Sequence, residues 1–132
     1  MKHKVFGRKL GRDINQRNAL LRNITSSVLI NGYVVTTEAK AKFVKGYLEK
    51  LIRNSQKNSL ALKREIASTL SEKAFESLFK SISPAMLSRP GGYTRIIRLN
   101  ERHGDNARMV KLELVSRNIP ANAPGKSKAE TK

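Results

Sequence analysis

The strongest enzyme-like cluster in this chain is Glu101-Arg102-His103-Gly104-Asp105. That pentapeptide holds two carboxylates and an imidazole, the equipment of general acid–base work. Its residues are adjacent, however, and neighbours in one loop do not converge on a shared reacting atom. Gly, Asp and Asn at a hairpin tip also set a turn. A solvated turn is therefore the preferred reading, with a small hydrolase using Glu101, His103 and Asp105 as a rival. His3 and His103 are the only histidines and there is no cysteine, so neither a zinc site nor a thiol nucleophile is expected. Gly7-Arg8-Lys9-Leu10-Gly11 lacks the Gly-Lys-Ser/Thr ending and the preceding strand of a P-loop. No Gly-x-Ser-x-Gly elbow is present. The expectation is a protein without enzymatic activity, cofactor, metal or small-molecule substrate.

Charge is the stronger signal. The 132 residues carry 27 Lys and Arg against 10 Asp and Glu, a net charge of +17 and a pI near 10.8. Such a surplus pushes against a compact monomer by self-repulsion and makes most sense where a polyanion is the normal surrounding medium. It is concentrated at the start of the chain, where Lys2, Lys4, Arg8, Lys9, Arg12, Arg17 and Arg22 face a single acid, Asp13. Residues 1–12 read as a basic arm with too little apolar surface to fold alone. Each Lys or Arg set on a phosphate would release condensed counterions, so a nucleic acid would order it. The plainer alternative is a solvated tail. Further cations lie at Lys40, Lys42 and Lys45, at Arg89, Arg95 and Arg98 around Pro90-Gly91-Gly92-Tyr93, and at Arg102 and Arg108 beside the 100–107 loop. Gly91 and Gly92 would either admit a phosphate close to the backbone or merely supply positive φ. Tyr93 could stack on a base, although an aromatic at a strand start is more often core.

Aromatics make up 5% of the chain and Trp is absent, so base-stacking platforms are sparse. Charge spread over arm, helix, turn and hairpin suits a surface lodged among segments of structured RNA. A DNA-binding or nucleoid-associated protein is the alternative, since Asn15, Gln16, Arg17, Asn18, Arg22 and Asn23 could offer a recognition helix. No apolar run approaches the ~18 residues of a membrane span, and no apolar stretch follows the basic start as a secretory signal requires.

The elements that must carry these cations follow from periodicity. Asp13 and Gln16 form a helix-opening capping pair, Leu20, Leu21, Ile24 and Val28 supply a stripe, and Asn31-Gly32 ends the helix. Tyr33–Thr37 is β-prone. A second helix is predicted over about Glu38–Asn54, capped by Thr37, with Phe43, Val44, Tyr47, Leu48, Leu51 and Ile52 facing inward. Gly46 within it suggests a close packing contact. A third helix, capped by Ser59 or Asn58, runs to Leu70 with Leu62, Ile66 and Leu70 in register. A fourth, capped by Ser71, buries Phe75, Leu78, Phe79 and Ile82 and stops at Ser83-Pro84. Pro84–Gly92 is a loop. Tyr93–Leu99 and Arg108–Ser116 are strands, expected to pair antiparallel across the polar 100–107 loop. In the second, Val110, Leu112 and Leu114 alternate with Lys111 and Glu113, one side buried and one wet. The expected fold is α+β, about four helices on a small three-stranded sheet. The domain layout is arm 1–12, one globular domain 13–116 and a disordered tail 117–132.

With these residues read, the chain resembles the L-seventeen family of bacterial-type large-subunit ribosomal proteins. The matches are Met1-Lys2-His3 with Gly7-Arg8-Lys9-Leu10 and Arg12, then Arg17 with Ala19-Leu20-Leu21-Arg22-Asn23. They continue through Thr36-Thr37-x-Ala39-Lys40-Ala41-Lys42, Glu49-Lys50-Leu51-Ile52, Gly91-Gly92-Tyr93-Thr94-Arg95-Ile96, Arg102-x-Gly104-Asp105-x-Ala107 and Leu112-Glu113-Leu114-Val115. Tyr33-Val34-Val35 is more apolar than the family's charged lead into the Thr pair, and the tail is an extension. The resemblance implies an α+β, non-enzymatic constituent of the large subunit that binds ribosomal RNA and supports translation. It would sit on the solvent side near the rim of the exit tunnel, beside other ribosomal proteins, in the bacterial cytoplasm or alternatively in an organelle. It also implies that Lys2, His3, Lys4, Arg8, Lys9, Arg12 and Arg17 are the principal RNA contacts. Charge alone adds Arg22, Lys40, Lys42, Arg95 and Arg98.

Overall fold

A computed structural model describes residues 8–115; the expectations on the first seven residues and on the tail fall outside it. Helix α1 (Ile14–Asn31) opens with a complete capping box. The Gln16 amide donates to Asp13 Oδ1 at 2.7 Å and the Asp13 amide to Gln16 Oε1 at 3.3 Å. It ends at Gly32, where φ of +81° needs the missing Cβ. Strand β1 (Tyr33–Thr37) follows at once and runs directly into α2 (Glu38–Ser55). Then come α3 (Leu60–Thr69) and α4 (Glu72–Ser77). A π-helical turn (Leu78–Ile82) joins α4 to α5 (Ser83–Met86), and β2 (Thr94–Arg98) and β3 (Met109–Leu114) close the fold.

The fourth helix therefore does not stop at Ser83-Pro84 but continues to Met86. Proline lacks the N–H for an i→i−4 bond, and its ring crowds the carbonyl four residues back. The wider π-turn immediately before Pro84 accommodates both, so the helix swells rather than ends. The Thr37, Ser59 and Ser71 hydroxyls sit at N-caps without making capping bonds. At Thr37 the Glu38 amide donates instead to the Arg108 carbonyl at 3.0 Å, carrying sheet bonding into the first helical turn. Gly46 is exposed, with nothing within 4 Å of where its Cβ would be, so the close-packing reading of that glycine does not stand.

The sheet order is β1-β3-β2, with both pairs antiparallel. Its inner side sets Val34, Ile96, Val110, Leu112 and Leu114 against the helices, the α+β arrangement expected. On α2, Ala41, Val44, Leu48 and Ile52 are fully buried, whereas Phe43 and Tyr47 are half-buried. On α1 the fully buried residues are Thr25, Val28 and Leu29. Leu21 and Ile24 stand at the core's margin, so the stripe is rotated from the expected one. Leu78, Ile82 and Met86 complete the core; Phe75 and Phe79 lie partly outside it. Tyr93 is 2% exposed, with its hydroxyl 3.2 Å from Gln56 Oε1 and 3.3 Å from the Arg89 carbonyl. It is a core anchor linking β2 to the end of α2, not a stacking platform.

Candidate nucleic-acid interface

The registers bring distant cations to one edge of the sheet. Thr37 pairs with Met109 and Arg98 with Val110. The end of β1, the start of α2, the end of β2 and the start of β3 therefore meet at a single corner. The chain entering α1 reaches the same place. A cleft of about 270 Å³ is lined by Arg8, Thr37, Glu38, Ala39, Lys42 and Arg108. A second of similar volume is lined by Glu38, Arg98, Leu99, Glu101, Arg108, Met109 and Val110. Arg8, Lys42, Arg98 and Arg108 are all exposed. Glu38 pairs with Lys42 at 2.7 Å, and its carboxyl is held below the usual carboxylate range. The Lys42 hydrogen bond and charge dominate that lowering, with Arg98 and Arg108 adding to it.

The turn leading into α1 is locally built. The Arg12 amide donates to the Lys9 carbonyl at 3.0 Å, the Arg12 guanidinium to the Leu10 carbonyl at 2.8 Å, and Leu10 and Gly11 both have positive φ. Arg8 and Lys9 are exposed there, and Arg12 is half-buried. Along α1, Arg17 is half-buried and Arg22 exposed. Burial raises the Tyr47 hydroxyl's pKa, opposed by a Thr69 hydrogen bond and then by the Arg22 charge. Lys40 is half-buried in the first turn of α2 and lines neither cleft. Lys2, His3 and Lys4 lie outside the described residues.

Arg95 stands apart from the corner. It is on the outer side of the sheet, opposite Glu113 in the register, and bonds that carboxylate. Lys111 Nζ reaches the same carboxylate at 2.7 Å and sits 4.7 Å from the Tyr33 ring centroid. Glu113 is buried beneath these two cations, so the side expected to be wet has a covered acid at its centre. Arg108 is absent from the contacts expected on sequence grounds. In sequence it is only a hairpin flank, and the β1–β3 pairing is what places it beside Glu38.

The loop cluster has no catalytic geometry. Arg102 grips both Asp105 oxygens at 3.1 and 2.6 Å, and the Ala107 amide donates to Asp105 Oδ1 at 3.3 Å. The Arg102 hydrogen bond leads in holding the Asp105 carboxyl down to about 2, far from the value a general base needs near neutrality. His103 is exposed beside it. Gln16 is spent in the capping box, which removes one base reader from the DNA alternative. No group of three metal-ligating side chains occurs among the described residues, and no described helix is long and apolar enough to cross a membrane.

The ribosomal protein L17 family profile matches residues 20–115. The chain belongs to the ribosomal protein L17 family. The large ribosomal subunit protein bL17 of Gemmatimonas aurantiaca is 40% identical over 116 residues, covering 87% of this chain and 98% of that protein. Those of Carboxydothermus hydrogenoformans (44% over 112 residues, 84% and 100% covered) and Clostridium botulinum (43% over 109, 82% and 96%) are similar. The family consists of structural components of the ribosome, not enzymes, which removes the hydrolase alternative for Glu101, His103 and Asp105.

Proposed function

We propose that the chain is a constituent of the large ribosomal subunit that binds its ribosomal RNA and supports translation, with neighbouring ribosomal proteins as further partners. The ribosome, in the bacterial cytoplasm, is its place of work. The observation that carries the RNA reading is the corner where Arg8, Lys42 and Arg98 gather with Arg108 around Glu38. The family relationship supports the identity of the RNA. In this reading residues 1–12 are the arm, residues 13–116 the folded body and residues 117–132 a tail. Lys2, His3, Lys4, Arg8, Lys9, Arg12, Arg17 and Arg22 contact the RNA backbone from one end of the chain, and Lys40, Lys42 and Arg98 from the body. Arg95 contributes less, because it is already bonded to Glu113.

Cosedimentation of the tagged protein with large subunits, and titration of large-subunit RNA against salt, test this. Neutralising about six phosphates gives a slope of log affinity on log salt of roughly −4 to −5. Deleting Met1–Arg12 leaves the Asp13 cap and the core intact, so the melting temperature holds while RNA affinity and slope both fall. A flat salt response, or preference for duplex DNA over ribosomal RNA in competition, would overturn the proposal.

A further inference from the structure

The two clefts share two side chains, Glu38 and Arg108. Arg8 and Lys42 stand on one side of that shared wall, Arg98 on the other. Among the described residues Arg8, Arg98 and Arg108 form no ion pair. The one acid that lines both clefts is Glu38, already bonded to Lys42; Glu101 lines the second cleft only. Arg108 is fixed from behind: its carbonyl accepts the Glu38 amide, which anchors its backbone, while the residue remains exposed.

We infer that this corner is a grip for two successive phosphates of one RNA strand, with Arg108 as the shared partition and Glu38 as a built-in counterion that the phosphates displace. The inference rests on the RNA-binding reading and adds to it a residue, a ligand geometry and a role for an acid. A guanidinium offers five donors in a planar fork and can serve two anions at once, one on each edge. Glu38 has the opposite effect in the two states. In the free protein its carboxylate offsets crowding among Lys42, Arg98 and Arg108. In the complex it stands beside arriving phosphates and repels them. Its bond to Lys42 is a partly exposed i,i+4 pair, so losing it leaves the fold intact.

The test uses the full chain and in-vitro-transcribed large-subunit ribosomal RNA, with affinity measured from about 50 to about 200 mM salt. Arg108→Gln keeps the main-chain bond to Glu38, and a melting temperature matching the parent confirms folding. The expected result is affinity lowered about ten-fold and a salt slope shallower by about one to two, as when one or two phosphates are no longer neutralised. Arg98→Gln weakens binding less, since it lines one cleft only. Glu38→Gln tightens binding about three-fold, the size of one screened like-charge repulsion. Lys73→Gln on α4, exposed and lining neither cleft, reports the effect of total charge alone. If the parent protein binds with the steep slope while Arg108→Gln behaves as Lys73→Gln does, the grip is refuted and the RNA reading survives. If Glu38→Gln weakens binding, the counterion role is refuted. If the parent shows no salt-dependent binding, the broader reading fails with it.

Discussion

Neutralising Glu113 tests whether the outer side of the sheet is held by charge. Glu113 sits on the central strand with its side chain 11% exposed, between Arg95 and Lys111. Arg95 donates to one Glu113 oxygen and Lys111 to the other, so Glu113→Gln keeps the shape but leaves an acceptor for only one of the two cations and turns an NH2 toward the other. A hydrogen bond to an ionised group contributes about 1.5–3 kcal/mol, and the bond that survives keeps its cation, so the loss is chiefly that of one such bond, to Arg95 if the amide oxygen stays with Lys111. Arg95 is 61% exposed and water compensates it, whereas Lys111 is 33% exposed and compensated less. The expected loss is therefore about 1–2 kcal/mol, and a lowering of the melting temperature by about 4–8 °C per kcal/mol in a domain of this size. Removing one acid also raises the net charge, which destabilises by itself. Glu76→Gln makes the same change in an exposed pair with Lys80 and serves as the reference.

The pH dependence separates charge from packing. The Lys111 hydrogen bond leads in lowering the Glu113 carboxyl below its ordinary 4.5, against burial, with Arg95 assisting. A carboxyl with a depressed folded value stabilises fully above the unfolded value and loses that contribution as pH falls through the folded one. The gap between parent and Glu113→Gln, measured by urea unfolding, should be constant from pH 7 to about 5. It should then close progressively below the ordinary 4.5. A gap unchanged at about pH 3, or a variant no less stable than Glu76→Gln at about pH 7, would refute the electrostatic account.

Two further outcomes follow from the scaffold. Asp13→Ala removes the oxygen that accepts the Gln16 amide, and chemical unfolding should register a loss of about 1 kcal/mol, with an unchanged midpoint ruling out the capping box as a contributor. Leu48→Ala empties a fully buried position on α2, and should cost about 2–5 kcal/mol in the same assay.

The helices are legible in the sequence because their apolar spacing is regular and Asp13, Gln16 and Gly32 punctuate the first of them. Where sequence and structure part, a non-local or polar feature intervenes. Thr25 is as deeply buried as Val28, but a hydroxyl does not mark a core position, so the α1 stripe reads as rotated toward Leu20. Pro84 marks a helix end in sequence, and only three-dimensional packing shows the chain widening into a π-turn to pass it. The β2–β3 hairpin is visible as two strands about a polar loop. The place of β1 beside β3 is not, since that pair is joined across most of the chain and its register depends on which residues the helices bury. The cation corner inherits this blindness. Lys42, Arg98 and Arg108 are not neighbours along the chain, and their meeting is a consequence of the Thr37–Met109 register.

How the acids are placed explains why net charge is a poor guide to where an anion binds. With 10 acids for 27 cations, location matters more than number. Glu113 is shared by Arg95 and Lys111, Asp105 holds Arg102, and Glu76 holds Lys80. Each of those cations has an acid against it that offsets part or all of its charge locally. At the corner Glu38 lines both clefts and Glu101 one of them, against Arg8, Lys42, Arg98 and Arg108. Two recesses with low-dielectric walls concentrate that imbalance. A phosphate approaching the sheet's outer side meets a cation pair already sharing an acid. One approaching the corner meets the guanidinium groups of Arg8, Arg98 and Arg108, which form no ion pair among the described residues. The fold thus offsets part of a diffuse basic charge with local acids, and three of the cations left without an ion pair among the described residues collect where β1 turns into α2.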